Sequence, residues 1–318
     1  MRERALKVGR AVFAVALIAL LGLAAADNID KLRDVDLQPQ PGWAIAAAPF
    51  TFLGGVALPL AWRHVLYAYG YALDRATALR IWCVSQASRF VPTGAVMVAS
   101  RVTMTVRQDV PKSVAGASVA VELGLMLLWG AFYTAWLPSY WLPGPVRLLA
   151  GVGAVAALVA LPWLLRLVGR FLPRFPAISP ESLRVRHLYE AIGLYGVNDL
   201  VRCFGFVFIA ASLHTINGSD VFRVTAAVNL SVVIGMIGIT PAGLGVREGV
   251  LTTLLAPRFG EGTALAMSVV FRAWDFLFEL VWIAIALTWE RRSRPPTIDA
   301  SCESSSPAPP ARSGPTSG

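Results

Sequence analysis

The feature that most constrains this chain is a series of long apolar runs from which charged residues are nearly absent. They are Ala11 to Ala26, Trp43 to Trp62, Ser113 to Leu137, Leu148 to Leu165, Leu188 to Leu213, Val224 to Thr240 and Thr263 to Trp289. A helix of about 20 apolar residues covers roughly 30 Å of hydrocarbon, and a helix satisfies its own backbone polar groups where no water is present. The expected fold is therefore an all-α polytopic membrane protein of about seven spans plus two re-entrant hairpins. Composition excludes the soluble alternative: 56% of the residues are hydrophobic and 15% charged, against about 25% charged in soluble domains. A net charge of +9 would point to nucleic acid in a soluble chain. Here Lys and Arg lie between the apolar runs, where they set topology, and no nucleic-acid partner is expected.

Loop charge gives the orientation. The first run follows Arg2, Arg4, Lys7 and Arg10 and ends in Ala24-Ala25-Ala26 before Asp27. That is either a secretory signal with its cleavage site or an uncleaved first span, and both place residue 27 outside. The 27 to 42 loop carries Asp27, Asp30, Asp34 and Asp36. Arg63, Arg75, Arg80 and Arg89 put the next connection in the cytoplasm, and the uncharged Pro138 to Pro145 loop remains outside. Arg166, Arg170, Arg174, Arg184 and Arg186 mark a second cytoplasmic loop, and Arg291, Arg292 and Arg294 a third basic region. The expectation is a multi-pass protein of the cell membrane with both termini cytoplasmic. Residues 1–290 form the membrane domain, and 291–318, rich in Ser and Pro, form a disordered tail.

Two segments cannot be simple crossings. Between the cytoplasmic connection near Arg89 and the span that begins at Ser113, the chain must cross an even number of times, so residues 81–108 dip in and return or lie on the inner surface. The same parity makes 221–261 a hairpin entered from the outer face. Each breaks at a similar tripeptide, Pro92-Thr93-Gly94 and Pro241-Ala242-Gly243, 149 residues apart. Pro removes a helical donor and Gly relaxes the backbone. Interrupted segments at corresponding positions of two halves point to a transporter site at a repeat interface; the alternative is a common turn met twice.

A charge at the bilayer centre costs about 2.5 to 3.5 kcal/mol on insertion scales, so each one needs a partner, water or a purpose. Glu122 lies in the 113 to 137 run; Asn198, Asp199 and Arg202 interrupt the 188 to 213 run. Arg272, Asp275 and Glu279 share one helical face that should point into the bundle. Asp199 with Arg202, and Arg272 with Asp275, have the spacing of local pairs. Glu122 and Glu279 have no local basic partner; Arg89, Arg101 and Arg247 are the candidates in space. A cavity lined by Arg and carboxylates suits an anionic headgroup such as a phosphate.

His64, His187 and His214 lie at span ends rather than together, and Cys83, Cys203 and Cys302 form no CxxC or Cys/His cluster. No metal site and no cofactor is expected. Trp43, Trp62, Tyr67, Trp136, Tyr140 and Trp141 cluster at expected interfaces, where they read as belt residues.

At residues 240 to 251 the chain reads Thr240-Pro241-Ala242-Gly243-Leu244-Gly245-Val246-Arg247-Glu248-Gly249-Val250-Leu251. This run resembles the signature of the lysylphosphatidylglycerol synthase transmembrane, or flippase-like, family: Pro, a small pair, Leu-Gly-Val-Arg-Glu, then an apolar helix. Ser85-Gln86 and Arg89-Phe90-Val91-Pro92-Thr93-Gly94, followed by Glu122, are similar to the family's first-half pattern. The resemblance covers nearly all of residues 8 to 290. Ala242 stands where the family commonly has Gly, a small residue that still permits close packing. Full-length aminoacyl-phosphatidylglycerol synthases add a soluble transferase domain, for which the short tail leaves no room. The resemblance thus implies a lipid-translocating module rather than an enzyme. Its site residues would be Pro241, Gly243, Gly245, Arg247 and Glu248, with Arg89, Pro92, Gly94 and Glu122 from the first half. In that picture Gly243 and Gly245 free amide donors for an anion, Arg247 holds the headgroup, and Glu248 pairs with a basic residue of the other half or fixes Arg247.

Two functions follow from different premises. One is a translocase of an anionic phospholipid or lipid-linked substrate between leaflets of the bilayer, using Arg247, Glu248, Arg272, Asp275 and Glu279 in a polar cavity. The other is a non-catalytic membrane subunit that scaffolds a separate glycosyl- or aminoacyl-transferase. A membrane enzyme acting on lipid phosphate would need a nucleophile or metal constellation, and the sequence offers none.

Overall fold

The computed structural model describes residues 39–90, 95–137, 141–171, 183–237, 243 and 245–293. The described residues are helical, with no strand among them. The helices are α1 (Pro41–Ala68), α2 (Arg75–Gln86), α3 (Ala95–Val106), α4 (Lys112–Trp136), α5 (Gly144–Phe171), α6 (Val185–Leu213), α7 (Gly218–Ile237), α8 (Val246–Phe259) and α9 (Glu261–Ser293). A 3-10 turn, Ala87–Phe90, follows α2 directly.

Local chemistry explains the breaks. Pro41 opens α1, where a missing N–H costs nothing. Asp74 caps α2 by accepting from the Thr77 amide at 3.0 Å. Gly260, at φ +81°, separates α8 from α9, a conformation that side chains with a Cβ resist. Five helices, α1, α4, α5, α6 and residues Gly218–Met236 of α7, are long and apolar enough to cross a membrane. The first apolar run lies outside the described residues, as does the expected tail apart from 291–293, into which α9 continues.

The two expected hairpins differ. With 12 residues each, α2 and α3 are about 18 Å long and cannot cross roughly 30 Å of hydrocarbon. The second hairpin is unequal: α8 has 14 residues, about 21 Å, whereas α7 has 20, about 30 Å. The short α2 and α3 agree with a first segment that does not cross, and the long α7 agrees with the apolar run read at Val224 to Thr240, followed by the shorter return helix α8.

Packing duplicates itself between the halves. In the first, α1 meets α2, α2 meets α3, and α3 meets α4; in the second, α6 meets α7, α7 meets α8, and α8 meets α9. Across the halves, α4 packs on α7 as α9 packs on α2, and α4 on α6 as α9 on α1. The corresponding helices α1 and α6 lie against each other over most of their length. This neighbour pattern is that of an internal repeat, with α5 docked outside it on α4 and α6. One apolar core joins α1, α2, α4 and α6 around Trp62, Leu66, Ile81 and Leu125. A second joins α6 to α9 around Phe206, Leu255, Met267 and Phe271.

Candidate functional site

The candidate site grows from the break between α7 and α8. Gly243 and Gly245 stand at φ +68° and +80°, the left-handed region that glycine alone enters cheaply. Gly243 also sits so close to α7 that a Cβ there would lie 3.0 Å from the Gly235 carbonyl oxygen. Gly245 ends the turn, and its amide donates to the Glu248 carboxylate at 2.7 Å. An acid three residues into a helix is the usual partner for such an orphan donor. The expectation that this amide is left open to an anion is therefore corrected: Glu248 already occupies it.

From this start α8 aims two charged side chains at α9. Arg272 Nε lies 3.5 Å from Glu248 Oε1, and Arg247 Nη2 lies 3.9 Å from Asp275 Oδ2. The four alternate in sign across the helix interface, so each has an opposite charge on the facing helix. Glu248 thus faces a basic residue of its own half, not of the other half. The shared face of Arg272, Asp275 and Glu279 points inward as expected. Arg247, Glu248, Arg272 and Asp275 line a cavity of about 20 Å³ with Ser231 and Ser268, room for about one water. Asp275 also borders a second cavity of about 120 Å³, which adds Glu279 and Arg202 to its wall. Arg202 bonds Asp199 at 3.3 Å along α6, the local pair that their spacing gives.

The first half carries its counterpart in another state. Arg101 of α3 pairs with Glu122 of α4, at 1% and 3% side-chain exposure. Glu122 also accepts from Trp82 Nε1 at 2.8 Å, and Arg101 Nε donates to Ser85 at 3.0 Å. The guanidinium lies near the Trp62 and Trp82 rings, at 5.7 and 5.2 Å. Glu122, grouped by resemblance with the site residues, lines neither cavity above and is sealed among aromatic rings. Arg101 is its partner among the three candidates named from sequence. Arg89 falls in the 3-10 turn, and Pro92, Gly94 and Pro241 lie outside the described residues.

Sequence reasoning missed Ser231 and Ser268, which have no distinguishing spacing, and Trp82, the donor to Glu122. Two further readings are overturned. Trp62 is not a belt residue: it is wholly buried, with its Nε1 donating to Ser118 at 3.1 Å, because α2 and α4 close over that end of α1. His64 and His187 do come together, their ring centroids 6.1 Å apart, because α1 and α6 pack side by side. Glu190 joins them, and the three side chains are the candidate metal ligands among the described residues.

The family model described as the lysylphosphatidylglycerol synthase TM region matches residues 7–283. No curated protein matches the chain.

Proposed function

The chain belongs to the lysylphosphatidylglycerol synthase TM-region family, and from that premise we propose that this multi-pass membrane protein moves an anionic lipid or lipid-linked substrate between the leaflets. The observation that carries the reading is the exchangeable pairing of α8 with α9. Separations of 3.5 and 3.9 Å are longer than the 2.7 to 2.9 Å of a tight charge-assisted bond. A phosphate entering beside Arg247 would take the place of Asp275 as its counter-ion, and the released carboxylate would be compensated by a proton or by Arg202, which borders the same cavity. The Arg101–Glu122 pair of the other half, buried and multiply bonded, is suited to holding its helices in place. The duplicated packing supports a motion of one half against the other around this site.

The 20 Å³ cavity beside Arg247 and Glu248 has room for about one water, so in this reading the α8–α9 interface opens to take substrate. In this reading no covalent step is assigned to the chain. The reading places it in the cell membrane with both termini cytoplasmic, which the distribution of basic residues among its loops supports. The test is reconstitution of the full chain in liposomes with labelled phosphatidylglycerol. Leaflet exchange above that of empty vesicles, reduced in Arg247→Ala, is the expected result. No exchange for any of several anionic headgroups would sink the translocase reading and favour a scaffold for a separate transferase.

A further inference from the structure

We propose that His64, His187 and Glu190 form a binding site for a divalent transition-metal ion of the zinc type, which clips α1 to α6 at one end of the bundle. His64 comes from α1 and the other two from the first turns of α6. Both Nδ1 atoms converge on the same carboxylate oxygen: His187 Nδ1 is 2.8 Å from Glu190 Oε2 and His64 Nδ1 is 3.2 Å from it. The three ligand atoms all lie within 4.8 Å of one another. In a tetrahedral site with bonds of about 2.0 to 2.1 Å, ligand atoms stand about 3.3 Å apart. The two nitrogen-to-oxygen separations are thus close to the spacing that a small cation imposes, and the cluster needs only small side-chain adjustments to take one.

Hydrogen bonding alone leaves the cluster incomplete. His64 Nδ1 is buried and lies 3.2 Å from the Glu190 carboxylate without a well-directed hydrogen bond to it. An ion between them would satisfy that nitrogen without moving either helix. The opposite carboxylate oxygen, Oε1, accepts from Arg186 Nε at 3.0 Å, which fixes Glu190 and leaves Oε2 turned to the imidazoles. Nearby, Arg63 is held away by its bond to the Leu73 carbonyl at 2.6 Å and by the face of Tyr67. Two imidazoles and one carboxylate make a borderline donor set that prefers zinc to magnesium or calcium. Side-chain exposures of 26% and 33% give an ion and a fourth, water ligand access from solvent. Neither the translocase nor the scaffold reading is needed for this site.

The test uses the full chain purified with a tag that contains no histidine and stripped with chelator. Micromolar zinc should bind with one ion per chain by calorimetry and elemental analysis and should raise the melting temperature. The variants His64→Gln and His187→Gln, which keep a polar side chain of similar reach, should each lose the ion while melting as the metal-free wild type does. Stoichiometric zinc binding that persists in the double variant, or no binding by the wild type, would overturn the proposal. If the variants do not fold, cobalt(II) added to the wild type decides. The strong visible absorption of a four-coordinate nitrogen and oxygen site supports it, and the weak spectrum of the aqueous ion refutes it.

Discussion

Arg247 lies across Gly235: a methyl group built on Gly235 of α7 would fall 2.3 Å from Arg247 Cγ. The missing side chain of one helix is the space through which the guanidinium of the next reaches Asp275, which links glycine placement in α7 directly to the charge arrangement between α8 and α9.

Gly235→Ala should therefore act on Arg247 without touching any charge. The side chain is flexible enough to move, so the expected stability loss is modest, on the order of 1 kcal/mol. Lipid exchange in liposomes should fall by more than that loss of stability accounts for. A variant that melts as the wild type does and exchanges lipid at the wild-type rate would refute the link.

Arg247→Ala removes a charged contact worth about 1.5 to 3 kcal/mol where it grips an anion, so exchange of labelled phosphatidylglycerol should drop about 10- to 100-fold. Because Arg247 is partly exposed and its partner distance is long, the melting temperature should change little. Arg247→Lys keeps the charge but loses the fork and should recover only part of the rate. A parallel loss of folding and exchange would make Arg247 a packing residue.

The opposite balance is expected in the first half. Glu122→Gln leaves Arg101 charged and buried without a carboxylate, a loss of about 3 to 5 kcal/mol. The double variant Arg101→Met with Glu122→Gln should recover much of this, since neither charge is then stranded. Thermal unfolding in detergent measures both; a Glu122→Gln protein as stable as the wild type would show that the pair is solvated.

Asp74 gives a pH dependence outside the membrane. Its hydrogen bonds with Thr77 hold the carboxyl below the ordinary carboxylate range. A lowered folded value means that the cap stabilises α2 above the unfolded carboxylate pKa and is lost as pH falls through the folded one. Asp74→Ala should cost on the order of 1 kcal/mol or less at neutral pH and nothing in strong acid. Melting curves of the two proteins should converge as pH drops; a constant gap would contradict the cap.

Much of this architecture was legible in the residues themselves. The apolar runs marked the long helices, Gly243 and Gly245 marked a turn that requires positive φ, and the spacing of Asp199 and Arg202 gave a pair that the structure forms. The inward face of Arg272, Asp275 and Glu279 also followed from helical periodicity. The family run around Gly245, Arg247 and Glu248 pointed to the α7–α8 break, but not to the use of Glu248 as the cap of its own helix. The unequal lengths of α7 and α8 were also visible, since an apolar run covers Val224 to Thr240 and none of that length lies between Gly245 and Gly260.

What the sequence determined by itself was which segments can leave water, where the backbone must break, and which charges require compensation. Those follow from transfer free energies and from conformational limits that act over a few residues. Only the tertiary structure decided the partners: Arg101 for Glu122, Arg272 for Glu248, Ser118 for Trp62, and His187 beside His64. Partner choice depends on which helices lie side by side and how each is rotated about its axis. That is fixed by the summed packing of side chains from distant parts of the chain, and no single stretch of residues carries it.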